Sequence, residues 1–235
     1  MSGTPDSIHQ RGRAAVLAGG AVLDVPPTPG GARWGLSLDI RLDPAAEDHL
    51  DALAAEAMML AGPGQWSTGS RGSSHLTVTY LERVWREVEP DDAEVRRYAA
   101  LVTPLAARTP PLRWQLTGLA LADRGILALA EPVDDAPDGF RAAVLSELGG
   151  LGRAEAYYRQ SVWWATVLHF AAPLPDPIGL VDWVDRRTSL APFPVSADRV
   201  EVVRYLHDGR RTVPVPLAVA PLVGVPEESG RAAHS

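Results

Sequence analysis

Two short polar triplets constrain the fold more than any other feature of the chain. Asp123-Arg124-Gly125 and His207-Asp208-Gly209 each stand between two apolar, β-prone runs. That pattern signals a tight turn joining two antiparallel strands. The other segments alternate between strand and helix and could by themselves wind a parallel sheet. Two hairpins break any such series, so the chain is read as α+β.

The remaining segments follow from periodicity and punctuation. Trp34 to Leu42 alternates apolar and polar residues and predicts a half-buried strand. Asp43-Pro44 offers a helix cap followed by proline at the first helical position. A helix then runs from Ala45 to Ala61, with Leu50, Leu53, Ala57 and Leu60 on one face. Gly62 to Ser74 is a Gly/Ser-rich loop, and His75 to Leu81 is a strand. Further helices are expected over Asp91–Arg108, Pro137–Leu148 and Pro177–Arg187. Further strands are expected over Leu112–Leu121, Ile126–Ala130, Ser161–Phe170, Val200–Leu206 and Thr212–Val219. Both halves of the chain carry strand–helix–strand–helix. This predicts two pseudo-symmetric lobes with antiparallel sheets around a central cleft, in one domain over residues 32–225. Residues 1–31 are expected to be flexible: 1–13 are polar and read as disordered, and 14–25 as a short strand or loose chain. Pro26, Pro27, Pro29, Gly30 and Gly31 punctuate the boundary. Residues 226–235 read as a disordered tail.

Composition excludes several chemistries. The 235-residue chain has 22 basic and 29 acidic side chains, a net charge of −7, which argues against electrostatic capture of duplex DNA or an anionic membrane. With no cysteine, disulfides, thiolate catalysis and Cys-ligated metals are excluded. Every basic residue is arginine, so Schiff-base and P-loop lysine chemistry are excluded as well. The histidines are scattered, and no metal or cofactor is expected. Arg11 and Arg13 precede an apolar run from Ala14, but Gly19, Gly20 and Asp24 interrupt it. A signal peptide is therefore disfavoured and a cytoplasmic monomer expected.

The chemical candidate is His75-Leu76-Thr77, opening a strand behind a glycine-rich loop. Strict alternation places His75, Thr77 and Thr79 on one face and Leu76, Val78 and Tyr80 on the other. An imidazole can move a proton near neutral pH, and a hydroxyl two residues on can donate to a phosphate oxygen. The alternative is a solvated strand face with an incidental histidine.

These residues resemble the first motif of the two-histidine (2H) phosphoesterase superfamily, known from 2′-5′ RNA ligase-like proteins and cyclic nucleotide phosphodiesterases. The element order agrees over roughly residues 32–222. The resemblance implies a His-x-Thr/Ser strand in each lobe, with one histidine as general base and the other as general acid. It further implies metal-independent cleavage of a cyclic or 2′-5′ phosphodiester in a nucleotide or short RNA. The second motif departs from this pattern. Its best match is Trp164-Ala165-Thr166, where tryptophan stands in place of histidine. His169 falls on the opposite face from Thr166 unless a bulge intervenes. His75, Thr77 and Thr166 are thus the expected catalytic residues. Trp164, Arg71, Tyr80, Arg159 and His169 are the expected substrate-binding residues. Of Trp163 and Trp164, one should be core. Three outcomes stay open: a slow one-histidine phosphodiesterase, recruitment of another group (His169, Tyr157, Tyr158 or His207), or nucleotide binding without turnover. A different small-molecule reaction in the same cleft is a further alternative. His207 is expected in solvent at a hairpin tip, and Arg153, like Arg159, is a phosphate-reaching candidate.

Overall fold

The computed structural model describes residues 3–149 and 162–225. Thirteen elements follow one another among the described residues: α1 (Pro5–Leu17), β1 (Ser37–Arg41), α2 (Pro44–Ala61), β2 (His75–Tyr80), α3 (Ala93–Arg108), β3 (Leu112–Ala122), β4 (Gly125–Pro132), α4 (Ala136–Leu148), β5 (Trp163–His169), α5 (Pro177–Asp185), β6 (Phe193–Ala197), β7 (Arg199–His207) and β8 (Thr212–Pro221). Both expected hairpins form, as β3–β4 and β7–β8. The cap at Asp43 also forms, its carboxylate accepting from the amide of Ala46 at 3.0 Å.

The strands make one curled antiparallel half-barrel of eight, in the order β6-β3-β4-β5-β2-β1-β7-β8. The halves β6-β3-β4-β5 and β2-β1-β7-β8 mirror each other about the β2–β5 seam. They are not halves of the sequence, because β7 and β8 return to pair beside β1. A single register pair, Leu76 with Ala165, defines the seam.

Apolar residues from alternate strand positions meet α2, α3, α4 and α5 on the convex side. Leu38, Ile40, Leu76, Val78, Ala165, Val167 and Leu168 belong to this main core. Burying a Leu or Ile side chain contributes about 1.5–3 kcal/mol, so this layer carries most of the fold's stability. The opposite, concave face holds two small clusters: Trp34, Trp66, Val203 and Tyr205, and Ile8, Ala122 and Leu127.

The expectation of a structureless N-terminus is corrected. Thr4 caps α1 and Pro5 opens it. Gly12 is what lets α1 lie against β3, since a Cβ there would stand 2.4 Å from the carbonyl oxygen of Leu121. His9 fastens the contact, its Nδ1 accepting from the amide of Leu121 at 3.2 Å and its Nε2 meeting Asp185 at 2.9 Å. Polar residues dominate α1, with Ile8 the one large apolar side chain between Pro5 and Arg13, which is why it reads as a tail. Strand β6 was also missed, because Pro194 interrupts its run; β6 pairs with β3 alone, at the sheet's edge, where proline is tolerated. The expected tail at 226–235 lies outside the described residues. Among the described residues no helix is long and apolar enough to cross a membrane.

Candidate active site on the concave face

The seam sets the geometry. Because Leu76 pairs with Ala165, the central residues of both motif triplets face each other across two antiparallel strands. His75 therefore stands beside Thr166, and Thr77 beside Trp164. A two-fold relation through this pair takes His75 onto Trp164 and Thr77 onto Thr166. The expected position of the missing histidine is thus occupied by Trp164.

Both motif strands carry a β-bulge directly after the threonine. On β2, Thr77 pairs with Asp39 and Thr79 with Leu38, so Val78 is the extra residue. On β5, Thr166 pairs with Leu127 and Leu168 with Ile126, so Val167 is the extra residue. A bulge reverses the alternation beyond it. Two expectations change. Thr79 turns to the core side, opposite Leu38, and Tyr80 takes the concave side opposite Ser37. His169 also comes onto the concave face, on the same side as Thr166. Under the two-fold relation His169 corresponds to Tyr80, not to His75.

His75 is held at both ring nitrogens. Nδ1 lies 2.7 Å from the carbonyl oxygen of Ser73 and, as the N–H, donates to it. Nε2 faces Tyr205 Oη at 3.3 Å and Asp39 Oδ2 at 3.6 Å. The Tyr205 hydroxyl donates to Asp39 Oδ2 at 2.5 Å, and Ser37 Oγ donates to Asp39 Oδ1 at 2.8 Å. Burial, then the Asp39 carboxylate, pushes the Tyr205 phenol well above its ordinary range, so it stays a neutral donor. Asp39 itself is only 2% exposed.

His169 sits in a different environment. Its ring packs edge-on against Trp34 at 5.2 Å and Trp66 at 6.3 Å between centroids. Thr68 Oγ1 lies 2.6 Å from Nδ1, and Asp24 Oδ2 lies 3.8 Å from Nε2. Burial, and next the nearby Arg33 guanidinium, hold this imidazole well below the ordinary histidine range. It is therefore neutral near pH 7. Asp24 is buried between Arg33 at 2.9 Å and Arg124 at 3.2 Å, and its desolvation raises the carboxyl above the ordinary aspartate range. The segment carrying Asp24 is fixed by the amide of Asp24 donating to the Phe170 carbonyl at 2.7 Å. Trp34 takes a left-handed backbone, φ 66°, to bring its ring between His169 and Tyr205.

The other predicted residues divide. Trp163 is the core member of its pair, edge-on to Trp114 at 5.3 Å. Trp164 is half-buried on the concave side against the cluster of Ile8, Ala122 and Leu127. Arg71 is not brought to His75: its exposed guanidinium pairs with Asp48 of α2. Arg153, Tyr157, Tyr158 and Arg159 lie outside the described residues. His207 is half-buried, not solvated, with its ring 4.3 Å from that of Trp66. Trp66 anchors its loop by backbone pairing with His169. A cavity of about 440 Å³ lies elsewhere, among Asp51, Met58, Ser67 and Arg210. Among the described residues no three His, Asp or Glu side chains converge as a metal site.

Sequence reasoning missed Asp39, Ser37, Tyr205, Asp24 and Trp34. Ser37, Asp39 and Arg41 do alternate with Leu38 and Ile40, which marks a polar face on β1. Only the pairing of β1 between β2 and β7 shows that this face meets His75.

No protein-family model matches the chain, and no curated protein matches it. Solved structures do. TT0787 of Thermus thermophilus superposes with a TM-score of 0.55 at 19% identity, over 80% of this chain and 98% of that one. E. coli LigT complexed with 3′-AMP gives 0.54 at 13% identity, over 80% and 98%. A structure described as a phosphoesterase gives 0.52 at 14% identity, over 80% and 97%. The chain has the 2H phosphoesterase fold. On the β2–β5 seam of that fold stand His75-Leu76-Thr77 and Trp164-Ala165-Thr166.

Proposed function

We propose that the concave face is a phosphodiester site of the 2H phosphoesterase type. It acts without a metal on a cyclic or 2′-5′ phosphodiester of a nucleotide or short RNA. His75 is its proton-transfer residue, and the hydroxyls of Thr77 and Thr166 hold the phosphoryl oxygens. The observation that supports this reading best is the Leu76–Ala165 register pair. It sets a histidine and two threonines on adjoining positions of one face, within a fold shared with LigT, which has been solved with 3′-AMP.

The expected mechanism needs little from the protein beyond proton movement and oriented donors. The Ser73 carbonyl fixes the Nδ1–H tautomer of His75, which leaves Nε2 as the basic nitrogen. The threonine hydroxyls donate to the non-bridging oxygens as negative charge concentrates there. With Trp164 in place of a second histidine, the rate expected is about 10²–10⁴-fold below that of a two-histidine site.

Phosphorus NMR with 2′,3′-cyclic nucleotides and 2′-5′ dinucleotides tests the reading. Slow turnover that drops a further 10²-fold or more in His75→Ala is expected. Absence of turnover by the wild-type protein overturns it. A second reading rests on Trp164, whose indole lies on the same face: a nucleotide-binding module without turnover, the base stacked on the indole. Line broadening of 3′-AMP that Trp164→Ala abolishes, with no product formed, selects it.

A further inference from the structure

Tyr205 and Asp39 lie far from His75 in sequence and belong to neither motif, yet they meet its Nε2. The pair is an ordered chain of acceptors. Tyr205 Oη, 3.3 Å from Nε2, can accept from a protonated imidazole while its own proton goes to Asp39 at 2.5 Å. Ser37 completes the shell by donating to the other carboxylate oxygen at 2.8 Å. A buried carboxylate fixed by two hydroxyls is costly unless a positive partner comes within reach. Its nearest cation-forming neighbour on this face is His75, at 3.6 Å. Arg41, the register partner of His75, turns instead to Glu201 at 3.3 Å and Glu47 at 3.9 Å.

From this we infer that Asp39 and Tyr205 are positioning residues that let His75 work alone, carrying one proton in two directions. The inference rests on the phosphodiesterase reading above. Water attacks phosphorus and passes a proton to His75 Nε2. While the imidazolium lasts, Nε2–H donates to Tyr205 Oη and Tyr205 O–H donates to Asp39. The phosphorus–oxygen bond to the leaving ribose oxygen breaks with its electron pair, and that oxygen then takes the proton from Nε2. Water has been added across the bond, and His75 is neutral again. A second histidine would hold a separate proton for the leaving group. Where Trp164 has removed it, the carboxylate behind Tyr205 keeps the single proton available. The charged and titratable groups around His75 are Asp39 and Arg41 on β1, Tyr205 and Glu201 on β7, Tyr80 on β2 and His169 on β5.

The test is nitrogen-15 NMR of the His75 ring at one fixed pH, run beside steady-state kinetics, in wild type, Asp39→Asn and Tyr205→Phe. Thermal unfolding confirms that each variant is folded. In Asp39→Asn the Nε2 resonance of His75 is expected to move, because the hydroxyl facing it no longer donates to a charged carboxylate. A fall in kcat of at least ten-fold is expected, with KM nearly unchanged. Tyr205→Phe keeps the ring and removes only the hydroxyl. It is expected to reproduce both the fall in kcat and the move of the Nε2 resonance, and it decides the matter if Asp39→Asn does not fold. Wild-type turnover with an unchanged Nε2 resonance and kcat in a folded variant overturns the relay and leaves the phosphodiesterase reading standing. No wild-type turnover removes that reading, and the shuttle with it.

Discussion

Strands β2 and β5 have nearly the same local construction and opposite chemical outcomes. Each carries an outward residue, a core residue, a threonine, a bulged valine, a second core-side residue and then an aromatic ring. On β2 the sequence is His75-Leu76-Thr77-Val78-Thr79-Tyr80, and on β5 it is Trp164-Ala165-Thr166-Val167-Leu168-His169. The two strands agree bulge for bulge, while the imidazole stands at the first position of one pattern and at the last of the other. On β2 the histidine is tied to a carboxylate and a phenol. On β5 it is enclosed by Trp34, Trp66 and Asp24. Backbone geometry and chemistry have separated: the threonine and its bulge hold the shape of the strand, and the outward side chain decides what that shape does.

Three experiments break or sharpen this contrast. The largest effect is expected where the β5 histidine is enclosed. Trp34→Ala removes the ring that packs against both His169 and Tyr205, and should lower stability by about 3–5 kcal/mol in a denaturant titration. The same change should bring the His169 titration, followed by NMR, back up toward the ordinary histidine range. Next is the first position of the β5 triplet, within the proposed phosphodiester site. Trp164→His places an imidazole at the two-fold equivalent of His75 and should raise kcat toward 10²-fold, about 2.7 kcal/mol of barrier. No gain would mean that the proposed chemistry needs more than an imidazole at this position. The smallest effect is a pH dependence. The folded state holds His169 well below its unfolded value, so this group contributes stability above about pH 6.5 that is lost as the pH falls from there. The slope from one such group is at most about 1.4 kcal/mol per pH unit. Asp24 acts in the opposite sense: its raised carboxyl takes up a proton more readily in the folded state, which offsets part of the loss toward acid. Urea midpoints between pH 7 and 5, wild type against His169→Gln, measure the difference. Equal slopes would show that His169 does not titrate with unfolding.

How much of this could be read beforehand depended on how local each signal was. His75-x-Thr77 and the two hairpin turns lie within a few consecutive residues, so their spacing carries the information. The cap at Asp43 is local in the same way. The bulges are not. Val78 and Val167 are ordinary β-formers, and their displacement appears only when Asp39 and Ile126 set the opposing register. One extra residue in each strand was enough to put Thr79 and His169 on the unexpected face. Asp39 and Tyr205 reach His75 from strands 36 and 130 residues away in the chain. No periodicity reports such a meeting. The Pro/Gly cluster before residue 32 was read as a boundary because turn residues mark the ends of elements. Here it bends a segment whose two ends, α1 and Trp34, both reach the concave face.

That segment has a consequence for the order in which the molecule is made. His9 finds its partners 112 and 176 residues later, at Leu121 and Asp185. Asp24 waits for Arg124 and Phe170. During synthesis, at about 5–20 residues per second, residues 5–34 must spend many seconds without the surfaces they are shaped to cover. Their proline and glycine turns suit that interval, since turns form from local residues before the distant partners arrive. The part of the chain synthesised early is thus among the last to settle, and it closes over His169 only once the strand bearing it is in place.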